Sequence, residues 1–328
     1  GDMDLFVANS LAANELWINE GGGTFTAKTG GPTSGSGYIG NVAWGDANGD
    51  GVLDLYIVNT AGSSELWIGD GTGSFSPVTG ASDSIVGTHS DPQAAAVWGD
   101  ANGDGALDLW IGLELWLNDG TSGGTFAPAT SGPSGGSTDT TTAVWGDANG
   151  DGALDLFVGT AGLGGSGNPD LSNVLWMNDG FGTFTKVASS PSGGNAWTST
   201  AAWADVDGDG DLDLFVGNTP PLGGYPGTDG TNELWINEGG GTFTAMTGGP
   251  ASGAGVLTTI GAWADVDGDG DQDLFVGNMG DGNPSYGHAN ELWINSGSGT
   301  FTAATGGPVG GNAQTLTAAW ADVDGDGD

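Results

Sequence analysis

Apolar residues along this chain come in short runs rich in Leu, Val, Ile, Phe and Trp, separated by clusters of Gly, Asn, Asp, Ser and Thr. Such runs predict β-strands, and the clusters between them predict turns. No segment sustains a helical period or opens on a helix cap. The Leu-Phe-Val type of run, as at 214–216, is continuously apolar, which predicts a strand covered on both faces.

The pattern repeats six times with a period of about 55 residues. A segment like AVWGDANGDGALDLFVG carries Trp44, Trp98, Trp145, Trp203, Trp263 and Trp320. A segment like NELWIND carries Trp17, Trp67, Trp116, Trp176, Trp235 and Trp293. A GTFT segment carries Phe25, Phe75, Phe126, Phe184, Phe243 and Phe301. Each repeat therefore predicts four short strands: one ending at the first Trp (142–145, for example), the Leu-Phe-Val strand, the Leu-Trp-Ile strand (234–236) and the strand of the Phe. Four-stranded units of this length are the mark of β-propeller blades. A lone blade cannot bury both faces, so the recurring Trp and Phe are expected to fill the space between stacked blades. The expectation is an all-β, six-bladed propeller forming a single domain over residues 1–328. The chain starts and stops inside the same kind of loop, so a closing blade shared between the N- and C-termini is expected.

The turn between strands one and two reads D-x-[DN]-x-D-G-x-x-D. With position seven included, the copies are Asp46, Asn48, Asp50, Val52, Asp54; Asp100, Asn102, Asp104, Ala106, Asp108; Asp147, Asn149, Asp151, Ala153, Asp155; Asp205, Asp207, Asp209, Asp211, Asp213; and Asp265, Asp267, Asp269, Asp271, Asp273. A sixth is split between Asp322, Asp324, Asp326 and Asp328 at one end and Asp4 at the other. So many oxygen-bearing side chains within nine positions repel one another unless a cation joins them. Ca²⁺ takes six to eight hard oxygen ligands in a flexible shell. Positions one, three and five would give side-chain oxygens, position seven a backbone carbonyl, and position nine would close the site. Gly at position six permits the sharp turn. Absence of His and Cys from the loops argues against Zn²⁺ and Cu, and Mg²⁺ is disfavoured because it keeps its waters. Up to six Ca²⁺ are expected; the alternative is an Asp/Gly-rich turn without metal. The pattern departs from an EF-hand, which closes at position twelve between helices.

Charge narrows the function classes. There are 41 acidic residues against two basic ones, a formal net charge of −39, and no Cys. A chain with almost no cations cannot replace the counterions of nucleic acid, and an anionic membrane surface repels it. No apolar run is long enough to span a bilayer. Disulfides and a Cys nucleophile are excluded. The first residue is Gly1 and no apolar signal segment follows, which reads as a mature or partial chain.

The repeats resemble the FG-GAP/VCBS type found in the propeller of integrin α chains and in many microbial and algal surface proteins. The match rests on DxDGDGxxD followed by a Leu-Phe-Val strand, and it covers the whole chain. The family's Ca²⁺-binding positions map onto the Asp and Asn residues named above. It does not fix a function.

No catalytic constellation emerges. His89 and His288 lie in variable segments, no Ser or Thr has a recurring base partner, and most acids belong to the loops. Glu15, Glu65, Glu114, Glu233 and Glu291 share one place before the third-strand Trp and read as structural. The expected role is non-catalytic: an extracellular or cell-surface, calcium-stabilised propeller for adhesion or assembly. Protein or glycan partners, or head-to-tail self-assembly into a filament, follow from it. A calcium-dependent lectin is the main alternative, with Trp197, Tyr38, Tyr225, Tyr286 and His288 as candidate ligand residues in loops. An accessory domain of a secreted polysaccharide-degrading enzyme is another. The connections between strands two and three vary in length, where contacts usually reside. Their Gly, Pro, Ser and Thr content suits O-glycosylation, and no allowed N-x-S/T sequon occurs.

Overall fold

Each repeat builds one antiparallel sheet whose strands neighbour one another in chain order. The computed structural model describes residues 4–9, 12–21, 24–34, 39–59, 62–79, 85, 95–121, 125–133, 140–160, 173–187, 191, 197–220, 230–251, 257–279, 289–305, 308–309 and 315–320. Sheet 1 has three strands, Leu5–Val7, Glu15–Asn19 and Phe25–Lys28. Sheets 2 to 6 have four each and span residues 39–77, 96–128, 140–186, 197–245 and 258–303. In sheet 5 they are Trp197–Ala204, Asp213–Thr219, Glu233–Asn237 and Phe243–Ala245. This is the all-β architecture read from the sequence, with one propeller blade per repeat.

In sheets 2 to 6 the second strands are buried on both faces, as their unbroken apolar runs require; Leu55, Leu109, Leu156, Leu214 and Leu274 are all inaccessible to solvent, whereas the equivalent Leu5 of sheet 1 is 51% exposed. Trp110, which stands where other repeats carry Phe or Tyr, is also core. The second and third strands of sheet 3 are joined by a tight turn at Gly112, whose φ of 61° favours glycine. Among the described residues no helix is long and apolar enough to cross a membrane.

Aromatic rings fill the gaps between successive sheets. Trp98 meets Tyr56 of sheet 2 edge-on at 6.3 Å and Phe126 of its own sheet at 5.9 Å. Trp263 repeats this with Phe215 and Phe301. These first-strand Trp are not all sealed, since Trp44 remains 37% exposed. The indole N–H groups of Trp98 and Trp263 donate across the gap, to the carbonyls of Ala43 and Ala202. A bulge in the first strand adds a second link. Thr259 lies where the register of sheet 6 shifts, and its hydroxyl donates to the Thr315 carbonyl at 2.7 Å.

The chain divides into two compact units, residues 1–140 with 178–184 and residues 141–177 with 185–328. Tyr56, Leu66, Ile85, Leu109 and Trp116 centre one core of the first unit. In the second, Phe157, Leu175, Leu214 and Val216 form one cluster, and Phe215, Leu234, Leu274 and Val276 another. Residues 315–320 seat on sheet 6 as a following first strand does: the Trp320 indole donates to the Ala262 carbonyl and its ring meets Phe275 edge-on. The other half of the expected closing loop, residues 321–328, lies outside the described residues.

Candidate metal centre

The loops owe their shape to backbone N–H groups captured by their own carboxylates. In sheet 5, Asp205 accepts from Gly208 N–H at 2.8 Å and Gly210 N–H at 3.0 Å, and Asp209 accepts from Asp211 N–H at 2.9 Å. Gly208 and Gly210 have φ of 76° and 94°, the left-handed region in which a side chain is strained. Position four thus needs glycine as much as position six, a requirement that the spacing of the acids does not show. The other loops repeat the scheme: Gly51 and Gly105 donate to Asp46 and Asp100, and Val52 and Ala106 donate to Asp50 and Asp104.

This wrapping gathers acids. Oxygens of Asp205, Asp207 and Asp209 all lie within 4.8 Å of one another, as do those of Asp265, Asp267 and Asp269. In sheets 2 and 3 position three is Asn, and its amide relieves the crowding: Asn48 donates to Asp50 and Asn102 to Asp104, both at 2.9 Å. Asp207 has no such relief. Its Oδ1 is buried without a hydrogen-bond partner, and burial followed by the nearby Asp209 pushes its carboxyl above the ordinary range. A buried, unpartnered carboxylate oxygen beside two further carboxylates is a donor set for a hard cation. With oxygen donors only, Ca²⁺ fits and thiolate- or imidazole-seeking metals do not.

Position nine behaves differently. Asp54, Asp108, Asp155, Asp213 and Asp273 are fully buried, and this position is not part of the 4.8 Å clusters. Instead Asp54, Asp108, Asp213 and Asp273 each tie the second residue of the loop to the third strand. Asp213 Oδ2 accepts Val206 N–H at 2.8 Å and Oδ1 accepts Asn237 N–H at 2.7 Å. Asp108 does the same with Ala101 and Asn118, and Asp54 with Ala47 and Gly69. Asp4 keeps half of the clamp, accepting Asn19 N–H at 2.8 Å. Burial pushes the Asp108 and Asp213 carboxyls up to about 6, against the lowering effect of those backbone donors.

That displacement fixes a pH dependence. A carboxyl that titrates higher in the folded than in the unfolded chain makes the folded state bind more protons in between, so stability rises as pH falls. The window runs from about 6 down to the ordinary carboxyl value of 3.8. Asp70, which its hydrogen bonds to Thr72 and Ser74 hold below that value, opposes the trend only at lower pH. The melting midpoint should therefore rise from pH 7 to pH 5 in chelator. A midpoint that falls over that interval would contradict this account of the buried carboxyls.

A further element joins one loop to the next. The Asn that ends the third strand is buried, and its Nδ2 donates to the position-two carbonyl in the preceding sheet's loop: Asn118 to Ala47, Asn178 to Ala101, Asn237 to Ala148 and Asn295 to Val206, at 2.7–2.8 Å. Its sequence signal was the final Asn of the Glu-Leu-Trp-Ile-Asn type, which sheet 2 replaces with Gly69. The preceding Glu is structural as expected: Glu15, Glu65, Glu233 and Glu291 accept from the indole N–H of Trp17, Trp67, Trp235 and Trp293.

Of the candidate ligand residues, Trp197 is described; it opens the first strand of sheet 5 and pairs with Thr219, so it is a strand residue rather than a loop residue. Tyr38, Tyr225, Tyr286 and His288 lie outside the described residues, as do Asp322, Asp324, Asp326 and Asp328.

Among solved structures, the chain is similar to BBS1N, seen in complex with ARL6DN in a crystal soaked with lead. Identity is 14%, with 82% of this chain and 68% of that one covered and a TM-score of 0.44. The Vibrio cholerae biofilm matrix protein Bap1 is similar at 15% identity, with 80% of this chain and 43% of that one covered and a TM-score of 0.37. No curated protein matches. The FG-GAP-like repeat model matches six times, at residues 1–57, 48–111, 112–158, 163–216, 223–276 and 265–328. Each match takes in at least one acidic loop, and the first five run across the junction between neighbouring sheets; together they span most of the chain, and the chain belongs to the FG-GAP-like repeat family.

Proposed function

We propose that this protein is a non-catalytic, calcium-stabilised β-propeller that acts outside the cell in adhesion or assembly. The observation that carries the proposal is the gathering of carboxylates in register, with three inside 4.8 Å in both sheets 5 and 6. Only Lys28 and Lys186 could offset them internally, and Lys28 Nζ faces the Thr72 carbonyl. Calcium-rich surroundings outside the cell suit so many loops of one chemistry. In the proposed sites, positions one, three and five hold the ion, with position seven contributing its carbonyl. The bound ion would supply charge neutralisation and rigidity rather than reaction chemistry. A rigid scaffold presenting connections of variable length suits contact with protein or glycan partners.

Native mass spectrometry of the purified protein tests the metal part. Five or six Ca²⁺ per folded chain are expected; none, or only one or two, would overturn it. A glycan array run in calcium and in chelator tests the contact part. Calcium-dependent binding to one sugar class would replace general adhesion by a lectin function.

A further inference from the structure

We propose that the metal loops are coupled to one another, and that Asn118, Asn178, Asn237 and Asn295 position the loop of the preceding sheet for its ion. The proposal rests on the calcium reading above. Its basis is a run of hydrogen bonds that passes from loop to loop. In the second unit, Asp213 accepts the N–H of Val206, the Val206 carbonyl accepts from Asn295 Nδ2, and the Asn295 N–H donates to Asp273, which also accepts the N–H of Val266. Every link is 2.7–2.9 Å long. In the first unit the same run joins Asp54, Ala47, Asn118, Asp108, Ala101 and Asn178.

Residue two stands between two proposed ligand positions, one and three. An ion that draws those side chains together also fixes residue two, and with it the carbonyl that the next sheet's amide must reach. That amide is at most 4% exposed in all four sheets, so releasing the carbonyl would leave buried polar groups unpaired. Filling one loop therefore favours the arrangement the neighbouring loop needs, and by linkage the effect is reciprocal. Stacked repeats communicate chiefly with their nearest neighbours, so the coupling should be pairwise along the chain. Sheet 2 shows what a repeat without the device looks like: the Gly69 N–H still meets Asp54 at 2.8 Å, but no side-chain amide continues the run.

The test counts ions per chain by native mass spectrometry across a calcium titration. Coupled loops give an excess of empty and filled chains over the distribution for independent sites. Asn237→Gly installs the residue that sheet 2 carries natively, and should weaken calcium binding at the sheet 4 loop about fivefold while moving the distribution toward independence. Asn237 Nδ2 also donates to the Leu212 carbonyl of its own sheet's loop at 3.1 Å, so in a background where Asp147→Asn has already disabled the sheet 4 loop, Asn237→Gly should retain only the smaller effect of that bond on the sheet 5 loop. A merely structural Asn would act alike in both backgrounds, and that result would overturn the proposal, as would an independent distribution in the unaltered protein. Asn295→Gly, read against Asp205→Asn, repeats the test at another junction. The unaltered protein's distribution decides the matter even if a variant fails to fold. Absence of any bound calcium would instead overturn the calcium reading itself.

Discussion

Chelating calcium should lower the melting midpoint of this protein by about 20 °C. An ion that binds only the folded state stabilises it by about 2.7 kcal/mol at a hundred times its Kd. Five filled loops at that level contribute about 13 kcal/mol. With an unfolding entropy of about 2.1 cal/mol/K per residue, a chain of 328 residues shifts by roughly the stated amount. The carboxylates of Asp205, Asp207 and Asp209, held within 4.8 Å, then repel without an intervening charge. Re-added calcium should restore the midpoint, and magnesium should do so less well because it sheds its waters reluctantly. Concentrated monovalent salt should rescue only in part, since screening supplies no ligands. A midpoint indifferent to chelator would reduce the loops to turns.

The largest single-residue effect is expected at position nine. Asp213→Ala removes both acceptors of the clamp and strands the buried N–H groups of Val206 and Asn237. Each unpaired donor costs about 1–3 kcal/mol, so the loss should be about 4 kcal/mol, or about 6 °C in midpoint. Asp213→Asn keeps one acceptor and should cost about half as much. The comparison belongs in chelator, where loss of metal does not contribute. There Asp209→Ala, which removes the exposed carboxylate of a self-repelling cluster, should cost far less. Equal losses for Asp213→Ala and Asp209→Ala would show that position nine is no clamp.

The fold was legible because each repeat restates it. Six copies of the Trp, Leu-Phe-Val, Leu-Trp-Ile and Phe segments leave little choice of strand or order, and the fully buried Leu214 and Phe215 are what a continuous apolar run demands. The acidic loops were legible for the same reason. The division of labour inside them was not. Spacing alone shows Asp213 as an oxygen donor of its loop, but neither its burial nor its second backbone partner, the Asn237 N–H on the third strand, which is distant in sequence. Asn295 was likewise invisible as a link, because its acceptor Val206 belongs to another repeat. Trp197 was misplaced because a Gly/Ser/Thr-rich approach hides where the first strand of sheet 5 begins.

The position of the first-strand tryptophan has an optical consequence. Trp44, Trp98, Trp145, Trp203 and Trp263 each stand two residues before position one of a loop. A luminescent trivalent lanthanide seated in such a loop would have an indole close by to collect ultraviolet light and pass it on. Each proposed site thus carries its own antenna, and loading could be followed by delayed emission without attaching a dye. Where position three is aspartate, as in Asp207 and Asp267, the extra negative charge should favour a trivalent ion over the asparagine-bearing loops, so those two antennae should light first.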